Sequence, residues 1–346
     1  MSISLSVLDL VPVRTGQSSA EALSSSMDLV KAADELGYRR YWFAEHHNMP
    51  AVASTAPPVL IAAAATQTSR IRVGSGGVML PNHAPLIVAE QFAALEAIAP
   101  GRIDLGLGRA PGSDPVITQV LRRTGSTSEA QHFPAHVQDI LQLVSPEGAK
   151  VRFSNGDTYD LHATPEATSL PAVWLLGSSD FSAQLAAQLG LPYVFANHFA
   201  GDGVERAMSL YRQSYVPSEL YPEPVSFLTA NVVVAPTAAE AEERALPQLR
   251  QFARLRSNKP FQKIETIDES LRSPLDALEE SFIQQNRQRW FVGEAGQVAE
   301  QLQEFAEKHG VNEVMISPSA GAYEREPLAE TPGRMQTLEL LAGALS

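Results

Sequence analysis

Five stretches of this chain put residues with usable chemistry where strand-like segments end. Glu45-His46-His47-Asn48 supplies two imidazoles, groups that hold or pass a proton near neutral pH. Gly74-Ser75-Gly76-Gly77 runs on to Pro81 and is soon followed by His83. Gly106-Leu107-Gly108-Arg109-Ala110-Pro111-Gly112 sets a guanidinium among glycines, and a guanidinium can clamp a phosphate through two parallel hydrogen bonds. Gly177-Ser178-Ser179-Asp180-Phe181-Ser182 joins a strand to a helix, so its hydroxyls stand beside free backbone N–H groups that favour an anion. The fifth stretch is Ala196-Asn197-His198.

Each stretch also has a plainer reading. Neighbours on an extended strand point to opposite faces, so His46 and His47 cannot readily chelate one ion; one of them turns into the interior, as a proton-handling or a structural residue. His132 and His136 have helical spacing, but Pro134 between them weakens a helical chelate, and no metal site is expected. Arg109 is either a phosphate clamp or a surface arginine paired with Asp104 or Asp114. Its glycine run leads into Pro111 and a polar irregular stretch, not directly into an amphipathic helix, which removes the context of a dinucleotide loop. Serines at a helix start are often ordinary caps. Gly76-Gly77 is either a bulge or a flat backbone surface open to a planar ring. Trp42, Trp174, Trp290 and Phe291 read as packing residues.

The elements that must position these residues alternate along the chain. Strand-like runs fall at residues 3–10, 40–44, 71–79, 103–107, 172–176, 193–196, 227–234 and 314–316. Between them, helical patterns span 56–66, 86–98, 181–189, 238–255 and 296–308, and another starts at Ser18-Ser19-Ala20-Glu21, a capping-box sequence. The rhythm fails between about 110 and 170, where a weak helix near 136–144 and a hairpin around Asn155-Gly156 suggest an insertion. A polar stretch at 256–289 reads as a second, partly mobile insertion. Eight strands alternating with helices predict a closed (β/α)₈ TIM barrel, with a doubly wound open sheet as the alternative. No linker divides residues 1–346, so one domain is expected. In such a barrel the reacting groups gather at the carboxyl ends of the strands, where all five stretches fall.

Composition narrows the partners. With 44% apolar and 19% charged residues the chain can build a sizeable core. A formal net charge of -13 argues against nucleic acid and anionic membranes as partners. The absence of cysteine excludes disulfides and thiolate chemistry. No basic region precedes an apolar run at the N-terminus, and no stretch is long enough to span a bilayer, so a cytoplasmic location is expected.

Taken in order, AEHHN at 44–48, GSGGVMLPNHAP at 74–85, PGRIDLGLGRAPG at 100–112, WLLGSS at 174–179 and FVGEAGQVAEQL at 291–302 resemble the luciferase-like flavin-dependent monooxygenases. That resemblance implies FMN at the carboxyl face of the barrel and usually a homodimer. It matches His46 to a histidine beside the flavin that assists oxygen chemistry. It matches Gly76-Gly77 to small residues against the ring system, often joined by a cis peptide. Arg109 matches a phosphate-binding arginine, and Gly177, Ser178, Ser179 and Ser182 lie where the family holds the FMN phosphate. The implied reaction uses reduced FMN and O₂ to oxidise a small organic substrate, with reduced flavin supplied by a separate reductase or formed in place. Segments 110–134 and 256–289 are the implied lids. A non-catalytic FMN-storage protein and a deazaflavin-dependent oxidoreductase are the alternatives.

Overall fold

The computed structural model describes residues 3–123, 130–199, 201–257 and 259–345. Eight parallel strands close on themselves: β1 (Ser4–Asp9), β2 (Arg40–Phe43), β3 (Arg72–Ser75), β4 (Ile103–Gly108), β5 (Ala172–Gly177), β6 (Tyr193–Phe195), β7 (Ser226–Val234) and β8 (Glu313–Pro318). Each pairs with the next, and β8 pairs with β1 through Val7 and Ile316, which closes the ring. The closed (β/α)₈ barrel is therefore the architecture, and the open-sheet alternative falls. Two short strands ride on it, Val78–Met79 beside β4 and Phe291–Gly293 beside β7.

Strand residues facing outward are almost all buried, because helices cover them. Val7, Tyr41, Val73, Leu105, Val173, Tyr193, Leu228 and Val314 belong to one apolar cluster with the helix faces. A different set faces inward. At the amino end, Arg40 reaches across the barrel to Asp104 and Glu313, both at 2.8 Å, and Ser6 donates to Glu313 at 2.6 Å. Above this brace lies an aromatic layer: Trp42, Trp174 and Phe227 have ring centroids 5.0–5.7 Å apart, with Leu8, Val194 and Met315 around them. Trp42 and Trp174 are thus packing residues, and Trp42 also donates to Asp104 at 2.9 Å.

The sequence signals for helix ends hold. Ser18 and Glu21 form the capping box that opens the helix Ser19–Glu35, and Gly37, at φ 81°, follows its end. The first insertion contains the helices Pro115–Arg123 and Phe133–Val144, then the hairpin Ala149–Arg152 with Thr158–Leu161. The second, a polar stretch in the sequence, is helical over much of its length. It holds the helices Ile267–Arg272 and Ala277–Arg287, each opened by a capping box, from Thr266 with Glu269 and from Asp276 with Glu279. Their polar faces hid them, since Ile283 alone of the last helix joins the cluster with Phe252, Leu249 and Trp290. No described helix is long and apolar enough to cross a membrane.

Candidate active site

Register brings the predicted residues to one rim. Gly108 pairs with Leu176 and Gly177 with Phe195, so Arg109, Ser178 and Ala196 leave three adjacent strands side by side. On the other flank Phe43 pairs with Ser75 and its carbonyl accepts the Gly76 N–H at 2.7 Å, so β2 and β3 reach the rim together. The backbone N–H of His47 donates to the Gly112 carbonyl at 3.0 Å, tying the end of β2 to the loop after β4.

The Gly76–Gly77 peptide bond is cis, as the resemblance implied. Packing alone accounts for the lack of side chains here. A Cβ on Gly76 would come within 2.5 Å of Leu8 Cδ1, and one on Gly77 within 2.8 Å of the Gly106 carbonyl oxygen. Gly177 is similar: its Cβ would fall on the Ser182 hydroxyl. Ser182 is buried against Gly177, while Ser178 is half-buried and Ser179 exposed at the start of the helix Asp180–Gln188. Ser179 is that helix's N-cap, yet its side chain makes no capping hydrogen bond.

Arg109 is half-buried, and its guanidinium lies 4.1 Å from the Phe181 ring centroid in the first turn of the same helix. Neither suggested carboxylate is its partner. Asp104 is taken by Arg40, Arg72 and Trp42, and Asp114 accepts from the backbone of Val116 and Ile117. Among the described residues no carboxylate pairs with Arg109. An unpaired cation over a helix start with two free hydroxyls is a donor set suited to a phosphate.

The two neighbouring histidines part company as their alternation requires. His47 Nε2 lies 2.7 Å from Glu45 Oε1, which also meets His83 Nε2 at 2.8 Å, while Glu45 Oε2 accepts from the Met79 N–H at 2.9 Å. Burial on its own would raise the Glu45 pKa. The hydrogen bonds from His47 and His83, the charge of His83 and the Met79 amide outweigh it and hold Glu45 down at about 2. This buried carboxylate was missed in the sequence, because its partners come from two different loops. His46 turns the other way. Burial lowers its pKa and His47 adds to that, against the backbone of Gly112 and the charge of Glu45. Its Nδ1 is buried without a hydrogen-bond partner, a polar atom left for something else to satisfy.

A cavity of about 790 Å³, counted with its opening to solvent, lies on the other side of the mouth, between the ends of β1, β7 and β8. Its walls include Leu8, Leu10, His198, Asn231, Phe252 and Ile264. None of the eight residues singled out from the sequence lines it. It adjoins them through Leu8, which packs on Gly76, and through His198, close enough to His46 for the two to interact electrostatically. Ile264 and Glu265 come from the second insertion, so that segment supplies part of the wall. Of the first suggested lid, 110–134, residues 124–129 lie outside the described residues. At the rim, Val11 adopts φ 51°, a conformation β-branched residues avoid, held by its N–H on Asp9 Oδ1 at 2.7 Å.

Comparison with known proteins agrees with this geometry. The family model described as luciferase-like monooxygenase matches residues 2–313. A luciferase-like monooxygenase of Escherichia coli is 41% identical over 325 residues, covering 91% of each chain. The Bacillus subtilis protein YvbT is 39% identical over 344 residues, covering 98% of this chain and 95% of its own. The N-acetyl-S-alkylcysteine monooxygenase of Bacillus subtilis is 32% identical over 333 residues, covering 94% and 95%. Among solved structures, apo-MsnO8 superposes with a TM-score of 0.85 at 33% identity, covering 99% and 98%. The fold alone is shared with an FMN complex of a type II Baeyer-Villiger monooxygenase from Pseudomonas putida (TM-score 0.71, 18% identity, covering 100% and 98%) and an F420-dependent secondary alcohol dehydrogenase (0.70, 15%, covering 100% of each). The chain belongs to the luciferase-like monooxygenase family.

Proposed function

We propose that this chain is an FMN-dependent monooxygenase that uses reduced flavin and O₂ to oxidise a small organic molecule. The observation that carries the reading is Arg109: a cation without a carboxylate, poised over the start of a helix whose Ser178 and Ser179 hydroxyls are open. These residues would hold the flavin phosphate, with Gly76-Gly77 beneath the ring system. His46, with its unsatisfied Nδ1, would hydrogen-bond the reacting region and hold a proton there. Bound flavin supplies the electrons that activate oxygen. The protein's part is to orient the substrate and exclude water, and the adjoining cavity gives the substrate its place. The same reading includes one domain throughout, a homodimer in the cytoplasm, a separate flavin reductase and lid roles for 110–134 and 256–289.

Affinity for FMN and for riboflavin separates the reading from its competitors. Arg109→Ala should weaken FMN by roughly 10- to 100-fold, the worth of a charge-assisted hydrogen bond, and leave riboflavin nearly unchanged. Equal losses for both ligands would take Arg109 out of the phosphate site. Preference for a deazaflavin over FMN would move the chain to hydride chemistry. Tight FMN binding with no substrate-dependent oxygen uptake would favour storage.

A further inference from the structure

The cavity between the ends of β1, β7 and β8 is walled largely by polar and charged side chains, and most of its charges are already matched. Asp9 pairs with Arg334, and Glu265 pairs with Arg250 at 2.7 Å. Glu330 is exposed, where water and salt screen it. Arg14 is the exception. It stands on the loop after β1, lines the cavity and is only 7% exposed. Among the described residues no carboxylate forms an ion pair with it. Three of its five N–H groups go to backbone carbonyls of the loop after β8: Nη1 to Tyr323 at 3.3 Å, and Nη2 to Glu326 at 2.7 Å and Pro327 at 2.8 Å. The Nε–H is buried without a partner, and one Nη1–H is left over. Burial lowers the Arg14 pKa, against the charges of Glu326 and Glu21, yet a guanidinium stays protonated at neutral pH. The Glu326 carboxylate is itself engaged, by Arg244 at 3.0 Å and by the Tyr323 N–H at 3.1 Å.

We infer that the cavity takes an organic carboxylate, with Arg14 as the counter-ion that selects it. The inference deepens the proposed function by naming the substrate class, and it rests on that reading only in calling the bound molecule a substrate. A buried cation held by neutral carbonyls alone lacks the partner that buried charges ordinarily have. One unmatched positive charge balances one negative charge, which fits a monoanion such as a carboxylate better than a dianionic phosphate ester. Away from bulk water the attraction between the two charges is screened less than at a surface. A neutral isostere forgoes that attraction and the charge-assisted hydrogen bond that goes with it. Arg14 has a structural task as well, since it ties the loop after β1 to the loop after β8. Losing that task alone would weaken every ligand of the cavity equally, whereas losing a counter-ion weakens the anion.

The test uses 2-naphthoate and its neutral amide, 2-naphthamide, titrated calorimetrically at pH 7 into the full-length protein with and without saturating FMN. The native protein should bind the naphthoate at least about tenfold more tightly in both conditions. In Arg14→Gln the two should bind within about twofold of each other, while Arg14→Lys, which keeps the charge, should retain at least about a threefold preference. A second measurement does not depend on the glutamine variant folding. The arginine Nε–H resonance that is missing from Arg14→Lys should move in the native protein on adding naphthoate and stay in place on adding the amide. Equal affinities in the native protein, binding of neither probe, a preference that survives Arg14→Gln, or an unmoved resonance would each overturn the inference. Titration of FMN alone is the independent arm: a protein that prefers the naphthoate through Arg14 yet does not bind FMN keeps this inference and loses the flavin reading, whereas one that binds FMN and treats the two probes alike does the reverse.

Discussion

Glu45, buried, and His198, half-buried, both stand at the mouth, and acid should act on them in separate windows. Glu45 has a folded pKa of about 2 against an ordinary value of 4.5, so the stability it contributes is complete above pH 4.5 and is lost as pH falls towards 2. His198 is held neutral, with a folded pKa of about 4 against 6.5. The unfolded chain therefore binds the proton first, and stability drains away as pH falls from 6.5 towards 4. Urea midpoints measured from pH 7 to pH 3 should show the upper part of the slope flattened in His198→Phe and the lower part flattened in Glu45→Gln. At pH 7, Glu45→Gln should cost roughly 1.5–3 kcal/mol, because hydrogen bonds to an ionised group are replaced by weaker neutral ones. At this scale the candidates legible in the sequence were residues whose type and position at a strand end sufficed to propose them, such as His46 and Arg109. The sequence could not reveal the Glu45–His47–His83 cluster or the contact of Thr229 with the ring and backbone of His198, since those depend on which loops meet in space.

At the scale of elements, the glycines of β3 and β4 decide how closely two strands approach. A Cβ on Gly106 would lie on the Ser75 carbonyl oxygen, and one on Gly74 would come within 2.5 Å of the Asp104 carbonyl oxygen. Gly106→Ala should therefore destabilise by about 3 kcal/mol or more, the upper end of overpacking costs, seen as a lower thermal midpoint or as insoluble protein. A second joint is Asp34, near the end of the first helix, whose carboxylate accepts the backbone N–H groups of Ser69, Arg70 and Ile71 and so fixes the entry to β3. Asp34→Ala should cost roughly 2–3 kcal/mol in urea unfolding. All eight barrel strands were legible as apolar runs because both of their faces are buried. The helices Val204–Gln213 and Ala277–Arg287 were not, because they pack through few apolar positions among many polar ones.

For the whole molecule, Arg40 links three strands that are far apart around the ring, reaching Asp104 on β4 and Glu313 on β8 while its guanidinium lies 4.6 Å from the Trp174 ring centroid. Arg40→Met leaves Glu313 without its buried partner and should cost about 3–5 kcal/mol, read from tryptophan fluorescence during denaturation. The sequence indicated eight strands but not what fills their centre, because the inward charges belong to segments that read as ordinary strand starts. The brace has a kinetic consequence. With the amino end stoppered by charges and aromatic rings, the barrel has a single doorway, and everything that enters must leave past whatever stands in it. On the proposed FMN reading, a second guest in the mouth should slow the departure of flavin. Stopped-flow dilution of FMN-loaded protein should give a smaller off-rate with 2-naphthoate present than without it, and an unchanged rate would mean that traffic passes in two lanes rather than one.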